Sequence, residues 1–104
     1  APPEAPSAAT VLFPNFPNPF NPETWMPFQL GEESSVRVTM YVLDGTVVRV
    51  LYLGRLPAGS YTSRARAAHW DGRNEAGERV ASGLYFYCLT TEEYTATGRM
   101  LLSK

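Results

Sequence analysis

Residues 13–30 read FPNFPNPFNPETWMPFQL, a stretch in which prolines alternate with large aromatic residues. A proline has no backbone N–H to donate, so Pro17, Pro19, Pro22 and Pro27 exclude a central β-strand here. Flexible linkers contain few large aromatic residues, because such side chains would be left in water. The pattern therefore predicts an irregular but ordered segment, whose aromatic side chains cover one end or one edge of a folded core.

The first ten residues, APPEAPSAAT, differ from this segment because they contain no large apolar side chain. Small residues and prolines cannot bury enough area to offset the entropy lost on ordering, so we expect a flexible linker over residues 1–10. Residues 11–104 then form one domain, which is large enough to bury a core without a metal or a disulfide. A linker in this position suggests that the domain is attached to the upstream domains of a longer precursor.

Composition excludes several classes of function. The 104 residues carry a formal net charge of −1, which gives no electrostatic basis for binding nucleic acid or an anionic membrane. No apolar run approaches the roughly 20 residues that span a bilayer, so we expect no membrane insertion. Cys88 is the only cysteine, which excludes an internal disulfide and a multi-cysteine metal site.

Alternation of apolar and polar residues predicts strands in the rest of the chain. In SVRVTMY (residues 35–41) apolar residues alternate with more polar ones, as in a half-buried strand. The dipeptide Asp44-Gly45 then predicts a two-residue hairpin, since glycine accepts a positive φ, and TVVRVLYL (residues 46–53) is its returning strand. Further strands are predicted at residues 61–70, 84–91 and 94–102.

The fold class follows from these elements. No stretch of about 11 residues shows the 3.6-residue period of a helix, and turn-forming residues recur roughly every 8–12 residues. The sequence therefore predicts an all-β chain, a β-sandwich of about seven short antiparallel strands with a Pro-rich irregular opening segment.

The residues that could support catalysis stand alone. His69 is the only histidine, and its neighbours Ala68 and Trp70 offer no partner for a catalytic triad or a zinc site. A nucleophilic cysteine needs a nearby cation or a helix N-terminus, and no helix is expected around Cys88. We therefore expect a partly exposed strand histidine and a sheltered thiol, and we expect that the protein is not an enzyme.

The loop DGRNEAGE (residues 71–78) is the one candidate metal site. Asp71, Asn74 and Glu75 supply side-chain oxygen atoms of the kind that bind calcium. The loop lacks the ligand spacing of an EF-hand, and Asp71 would more simply cap the turn by accepting hydrogen bonds from backbone amides. We predict that the protein needs no cofactor, with calcium in this loop as the alternative.

Arginines and aromatic residues raise two further binding alternatives. Arg64 and Arg66 alternate along a predicted strand, but in a chain of slightly negative charge we expect a solvated face rather than a nucleic-acid patch. Sandwich modules also bind glycans through exposed aromatic residues, which makes Trp25, Trp70 and Tyr61 candidates. We expect these three side chains to fill the core or to cover its ends instead.

Several motifs occur in the order of a known bacterial module. They are FPNPFNPETWMPFQL, VRVTMYVLDGTVVRVL, LPAGSYT, WDGRNEAGERVASGLYFYCL and TATGRMLLSK, and the likeness covers residues 12–104. In these motifs the chain resembles the C-terminal sorting domain of exported bacterial proteins, which is related to the Ig-like domain of the flagellar hook-capping protein (FlgD-like). The resemblance implies an Ig-like β-sandwich without catalytic activity, joined to a secreted or cell-surface protein. In bacteria with type IX secretion, domains of this type direct cargo across the outer membrane.

The chain departs from the family pattern in two places. Family members often carry Asp or Asn after the strand tyrosine and an apolar residue before the hairpin glycine, whereas this chain has Val42 and Asp44. The spacing between AGSYT and WDG is also longer, and we interpret the additional residues 63–69 as a strand extension or a bulge. Both departures change the surface that a partner would contact.

The function implied by the resemblance is secretion sorting or cell-surface attachment of a larger exported bacterial protein. Its partners would be the upstream domains of the same precursor and the secretion or anchoring machinery. We expect a monomer that is secreted or lies on the bacterial cell surface. Two alternatives stay open: a module that binds carbohydrate or protein, and a structural spacer that self-associates.

The closing segment is the candidate contact site for the sorting machinery. It combines Arg99, the apolar run Met100-Leu101-Leu102, and Lys104 with its carboxylate, all of which a machine that binds the end of the chain could contact. The same residues could equally form only the closing strand of the sheet, with Met100 and Leu102 in the core.

Overall fold

The computed structural model describes residues 9–104 of the chain. These residues form nine β-strands, and no helix among them is long and apolar enough to cross a membrane. The sequence predicted about seven strands; the difference lies in strands of two or three residues, which are too short to show a periodic pattern. In chain order the strands are β1 (Val11–Leu12), β2 (Thr24–Met26), β3 (Phe28–Leu30), β4 (Ser34–Tyr41), β5 (Val47–Leu56), β6 (Gly59–Tyr61), β7 (Ala68–Trp70), β8 (Gly83–Thr90) and β9 (Thr95–Leu102).

The strands form an antiparallel sandwich of two layers. One layer is a four-stranded sheet with the strand order β5-β4-β8-β9, and the other consists of the three-stranded sheet β1-β3-β6 and the two-stranded sheet β2-β7. Buried side chains from all three sheets belong to one hydrophobic cluster between the layers. The predicted all-β sandwich is therefore confirmed.

The long strands follow their hydrophobic patterns. In β4, Val36, Val38 and Met40 are buried and the residues between them point away from the core, because successive side chains of a strand face opposite sides of the sheet. β8 repeats the pattern with Tyr87 and Leu89. Burial of this kind contributes roughly 25 cal/mol per Å² of apolar surface, and it fixes the register of both strands.

The β4–β5 hairpin has a loop of three residues, one more than predicted. Val42 N–H donates to the Thr46 carbonyl (3.0 Å), and Gly45 N–H donates to the Val42 carbonyl (2.8 Å). Gly45 has φ 91°, the left-handed conformation expected of a glycine that follows a turn in a three-residue loop. Asp44 Oδ1 accepts the Thr46 N–H (2.9 Å), and this hydrogen bond lowers the pKa of Asp44.

Residues 61–70 do not form the single strand that the sequence predicted. β6 ends at Tyr61, and the chain then makes a turn in which the N–H groups of Arg66 and Ala67 both donate to the Ser63 carbonyl (3.0 and 2.7 Å). β7 begins only at Ala68 and pairs with β2. Residues 63–69, predicted as a strand extension or a bulge, are therefore mainly a turn.

The proline-rich segment (residues 13–30) is folded onto the core, as predicted. Phe20 is 1% exposed, and its ring centroid lies 5.8 Å from that of the buried Trp70. Phe28 is also buried and stacks on Tyr61 at a centroid distance of 4.9 Å. All prolines of the segment lie between strands, as the absence of an N–H donor requires.

The hydroxyl group of Tyr87 holds the start of this segment on the core. It accepts a hydrogen bond from Asn15 N–H (3.0 Å) and donates one to the Phe13 carbonyl (3.1 Å). The Tyr87 ring reaches these groups by lying over Gly98, its partner in the β8–β9 ladder, where a Cβ atom would overlap the ring. The lack of a side chain at residue 98 therefore allows β8 to bind the proline-rich segment across β9.

The predicted linker lies mostly outside the described residues, which begin at Ala9. The Ala9 carbonyl accepts a hydrogen bond from Gln29 Nε2 (2.7 Å), and Thr10 Oγ1 accepts one from Gly31 N–H (2.9 Å). The contacts of the domain therefore extend to residue 9, and a flexible linker over residues 1–8 stays a prediction.

We expect the substitution Tyr87→Phe to lower the free energy of unfolding by about 1–3 kcal/mol, because it leaves two backbone groups of the proline-rich segment without a partner. Tyr52→Phe is the matched control, since Tyr52 is 76% exposed and its change should stay within about 0.5 kcal/mol. Denaturant unfolding measures both changes. Equal effects of the two substitutions would contradict the role of the Tyr87 hydroxyl in holding the proline-rich segment.

Stability should fall at alkaline pH. Burial raises the pKa of Tyr87 above the ordinary value of 10.0, although the hydrogen bond from Asn15 N–H acts in the opposite direction, and burial also raises the pKa of Tyr85. In the unfolded chain both tyrosines ionise near about pH 10. Their contribution to the free energy of unfolding is therefore complete below that pH, and it is lost as the pH rises through their higher pKa values in the folded state. Unfolding free energies from about pH 8 to about pH 11 should decline less steeply for Tyr87→Phe than for the parent chain.

Candidate partner-contact site

The predicted contact residues lie on β9, an edge strand of the four-stranded sheet. Met100 and Leu102 are 1% and 2% exposed and face the core, whereas Arg99 and Leu101 point to the outer face of the sheet. Lys104 follows the strand and is exposed. The residues that a partner can reach are therefore Arg99, Leu101 and Lys104, and the other two are core residues of a closing strand, the alternative that the sequence left open.

The proline-rich segment covers the edge of β9 at its C-terminal end. Asn18 Oδ1 accepts a hydrogen bond from Leu101 N–H (3.0 Å), and Phe20 N–H donates to the Leu101 carbonyl (2.9 Å). Ser103 N–H donates to the Phe20 carbonyl (3.0 Å), which makes a short parallel bridge between Phe20 and Leu102. The proline pattern predicted that this segment covers one edge of the core. The structure shows that its hydrogen bonds to β9 and the residue after it reach from Leu101 to Ser103.

The outer face of the four-stranded sheet carries a row of apolar side chains, of which the sequence had singled out only Leu101. Tyr41 and Phe86 are neighbours in the β4–β8 ladder and stack at a centroid distance of 5.6 Å. Leu84 and Leu101 are neighbours in the β8–β9 ladder and are 44% and 42% exposed. We name this surface the outer strip, and it comprises Tyr41, Val47, Leu84, Phe86 and Leu101.

A shallow hollow of about 260 Å³ lies beside the outer strip, between the proline-rich segment and β9. Leu84, Met100 and Leu101 give it an apolar lining, to which Arg99 adds a cation. None of the ion pairs among residues 9–104 includes Arg99 or Lys104. The end of β9 thus presents apolar surface next to two cations that no carboxylate of the described domain neutralises.

The sequence held one indication of the outer strip. In LYFYCL of β8, consecutive aromatic residues place large side chains on both faces of the strand. Such a strand is either buried on both faces or carries one exposed apolar face. In this sandwich only one face of β8 meets the other layer, so Phe86 and Leu84 are left on the outside.

His69 is the partly exposed strand histidine that the sequence predicted. It lies in β7, with its Nε2 atom 2.7 Å from Glu23 Oε1 and its ring centroid 5.1 Å from that of Trp25. Cys88 lies in the other layer, on the outer face of β8 between Thr39 and Thr97 of the neighbouring strands. The single histidine and the single thiol are therefore not brought together.

The calcium candidates are engaged in other contacts. Asp71 Oδ1 accepts a backbone N–H of its own loop (3.0 Å), as the capping role predicted, and lies 3.5 Å from Arg49 Nη1. Glu75 Oε2 accepts Val50 N–H on the outer edge of β5 (2.8 Å), and Asn74 Oδ1 accepts two N–H groups of its loop (3.0 and 2.9 Å). Among residues 9–104 there is no group of three or more His, Cys, Asp or Glu residues that could hold a metal ion.

Arg64 and Arg66 lie in the turn before β7 and not on a strand face, which corrects the sequence-based expectation. Arg64 Cζ lies 4.6 Å from the ring centroid of Trp25, and Arg66 Cζ lies 4.7 Å from that of Tyr61. Both contacts have the geometry of a cation–π interaction. Tyr61 and Trp70 are buried, so of the three glycan candidates only Trp25 is at the surface, and Arg64 covers its ring.

The solved structures that contain a domain with this fold include two proteins of Porphyromonas gingivalis. One is dimeric latent PorU from Porphyromonas gingivalis, with a TM-score of 0.64 and 18% identity over 91% of this chain and 9% of the PorU chain. The other is PorZ, an essential bacterial surface component of the type-IX secretion system of the same organism, with a TM-score of 0.56 and 17% identity over 89% of this chain and 11% of the PorZ chain. No protein-family model and no curated protein matches the sequence. At this identity the likeness establishes the fold, and the chain spans only a small part of either protein.

Proposed function

We propose that this chain is a non-catalytic module for secretion sorting or cell-surface attachment of a larger exported bacterial protein. The observation that carries the proposal is the fold that it shares with a small part of PorZ, a surface component of a type-IX secretion system, and of PorU. The more specific likeness to the hook-capping domain stays a prediction from the sequence motifs.

The geometry suits a module that presents its last strand away from the protein to which it is joined. Thr10 and Gly31 lie at one end of the sandwich, where Arg55 also bridges the two loops that precede β4 and β9 through Glu33 (2.7 Å) and Glu92 (3.0 Å). β9 runs from this end to the other over eight residues, or roughly 25 Å. An upstream domain at residue 9 would therefore leave the end of β9 open to a partner.

A second candidate function, protein adhesion, is favoured by the outer strip. Scattered exposed apolar residues are ordinary, but Tyr41, Phe86, Leu84 and Leu101 are contiguous across three strands. Contiguous apolar surface of this kind commonly marks a protein-binding site. Carbohydrate binding has less support, because it needs an open aromatic ring and the ring of Trp25 is covered by Arg64.

The sorting role is tested by fusing residues 9–104 to a reporter with a signal peptide in a bacterium that has type IX secretion. We expect the fusion to reach the cell surface or the medium, and the double substitution Arg99→Glu with Lys104→Glu to lower export about tenfold or more, since reversing both charges weakens the contact of a complementary partner by about that factor or more. Arg37→Glu is the matched control, because Arg37 lies on the same sheet face away from the end of β9. Export no better than that of the reporter alone would contradict the proposal.

Adhesion predicts a different result from the same chain. Phe86→Ser should then abolish binding of the purified domain to cells or to immobilised surface proteins while export of the reporter fusion is unchanged. Because Phe86 is on the outer face of β8, this substitution removes apolar contact surface without opening the core.

Folding and recognition must be separated at β9, and two neighbouring leucines allow it. Leu102→Ala should lower the free energy of unfolding by about 2–5 kcal/mol because Leu102 is buried, whereas Leu101→Ala should change it by less than about 0.5 kcal/mol because Leu101 points outward. Denaturant unfolding measures both. If Leu101→Ala lowers export without loss of stability, Leu101 is a contact residue; equal destabilisation by both substitutions would contradict the observed strand register.

A further inference from the structure

We propose that the part of the β9 edge whose outward backbone groups are unbonded, residues 95–99, is a strand-addition site for an extended segment of a partner protein that carries a large apolar residue directly preceded by an acidic one. The proposal goes beyond the export role and does not depend on it, because an adhesive module could use the same edge. It is built from the backbone of β9, from a hollow next to Gly98 and from the charge of Arg99.

The backbone groups of β9 that face away from β8 can be assigned from the covered end of the strand. The N–H and C=O groups of Leu101 and the N–H of Ser103 bond to the proline-rich segment, so they point to the outer edge. Backbone groups of alternate strand residues point the same way, and the β8–β9 ladder has no register shift. The N–H and C=O groups of Thr95, Thr97 and Arg99 therefore face outward too, and no described residue bonds to them.

The length of this free edge is fixed at both ends. At one end the chain leaves the edge in the β8–β9 turn, where Thr91 N–H donates to the Tyr94 carbonyl (2.8 Å). At the other end Asn18 and Phe20 occupy the position of a neighbouring strand beside Leu101. An added strand can therefore pair with about five residues of β9, which is the usual length of a strand in a globular protein.

A hollow of about 270 Å³ lies along this edge, between β9 and the chain from Leu12 of β1 to Pro14, and β1 packs near β9 here. A strand added antiparallel to β9 would place the residue opposite Gly98 on the inner side of the sheet, next to this hollow and to the ring of Tyr87. A large apolar side chain there would cover the glycine and fill the space. The residues that line the hollow are Leu12, Phe13, Pro14, Tyr87, Thr97, Gly98 and Arg99.

The chemistry of the occupant follows from the two faces of the edge. On the inner face β9 offers only Ala96 and Gly98, so a second copy of β9 would leave the hollow empty. On the outer face a second copy centred on Thr97 would place Thr95 opposite Arg99, where no charge is matched. A partner segment with an aromatic residue opposite Gly98 and a carboxylate opposite Arg99 fills the first site and neutralises the second.

The probe for this site is the peptide acetyl-EFTVT-amide, which places glutamate opposite Arg99 and phenylalanine opposite Gly98 when it pairs antiparallel to β9. Titrated into the 15N-labelled chain, it should give saturable shifts of the amides of Thr95, Thr97 and Arg99 and slow their exchange with solvent. The same peptide with an N-methyl group on its first threonine lacks the N–H that would donate to the Thr97 carbonyl, and it should bind about tenfold more weakly.

Substitutions in the protein provide the matching test. Thr97→Pro removes an N–H that faces the edge and not β8, and it should lower the affinity at least about tenfold. Arg99→Glu should weaken binding of this peptide, and the peptide acetyl-KFTVT-amide should restore it, whereas Arg37→Glu should leave binding of acetyl-EFTVT-amide unchanged.

Three results would overturn the proposal. They are equal binding of the parent and N-methylated peptides, shifts confined to residues away from β9, and concentration-dependent shifts of Thr95, Thr97 and Arg99 without peptide, which would make a second copy the occupant. The two peptides test the edge in the unmodified chain, so failure of Thr97→Pro to fold would not affect this comparison. Because no step uses export, loss of the sorting role would leave these outcomes unchanged.

Discussion

The attachment of the proline-rich segment to β8 and β9 is the contact on which the rest of this domain depends. Prolines keep residues 13–22 of this segment out of the sheets, so individual hydrogen bonds to the Tyr87 hydroxyl and to the backbone of Leu101 and Ser103 hold that part in place, whereas β2 and β3 join sheets. Those bonds position Phe20 over Trp70 and close one end of the hydrophobic cluster. Gly98 is part of the same arrangement, because any side chain there would displace the ring of Tyr87.

The two outer edges of the four-stranded sheet differ in how their backbone groups are occupied. The carboxylate of Glu75 accepts Val50 N–H and so occupies a donor on the β5 edge. The proline-rich segment occupies the β9 edge only beside Leu101 and Ser103. Exposed edges otherwise invite pairing with other chains, so a short uncovered stretch between two covered or charged ones is suited to a selective contact.

Several features could be predicted because they depend on short-range patterns. The alternation in β4 and β8 has only one register that buries the apolar residues, and Gly45 marks the hairpin whatever the loop length. The extra loop residue and the break after Tyr61 were missed, since a turn such as that at Ser63 contains no glycine or proline to indicate it. Strands of two or three residues have no period to detect.

The sequence by itself determined the all-β class, the main strands and the ordered state of the aromatic residues among the prolines, because each follows from the chemistry of neighbouring residues. Only the tertiary structure decided which residues of the closing strand face solvent, that Phe86 and Leu84 lie on an outer face, and that the outward backbone groups of residues 95–99 of β9 are unbonded. Those properties depend on hydrogen bonds between residues up to 83 positions apart, such as Leu101 with Asn18, and local composition carries no record of such pairings.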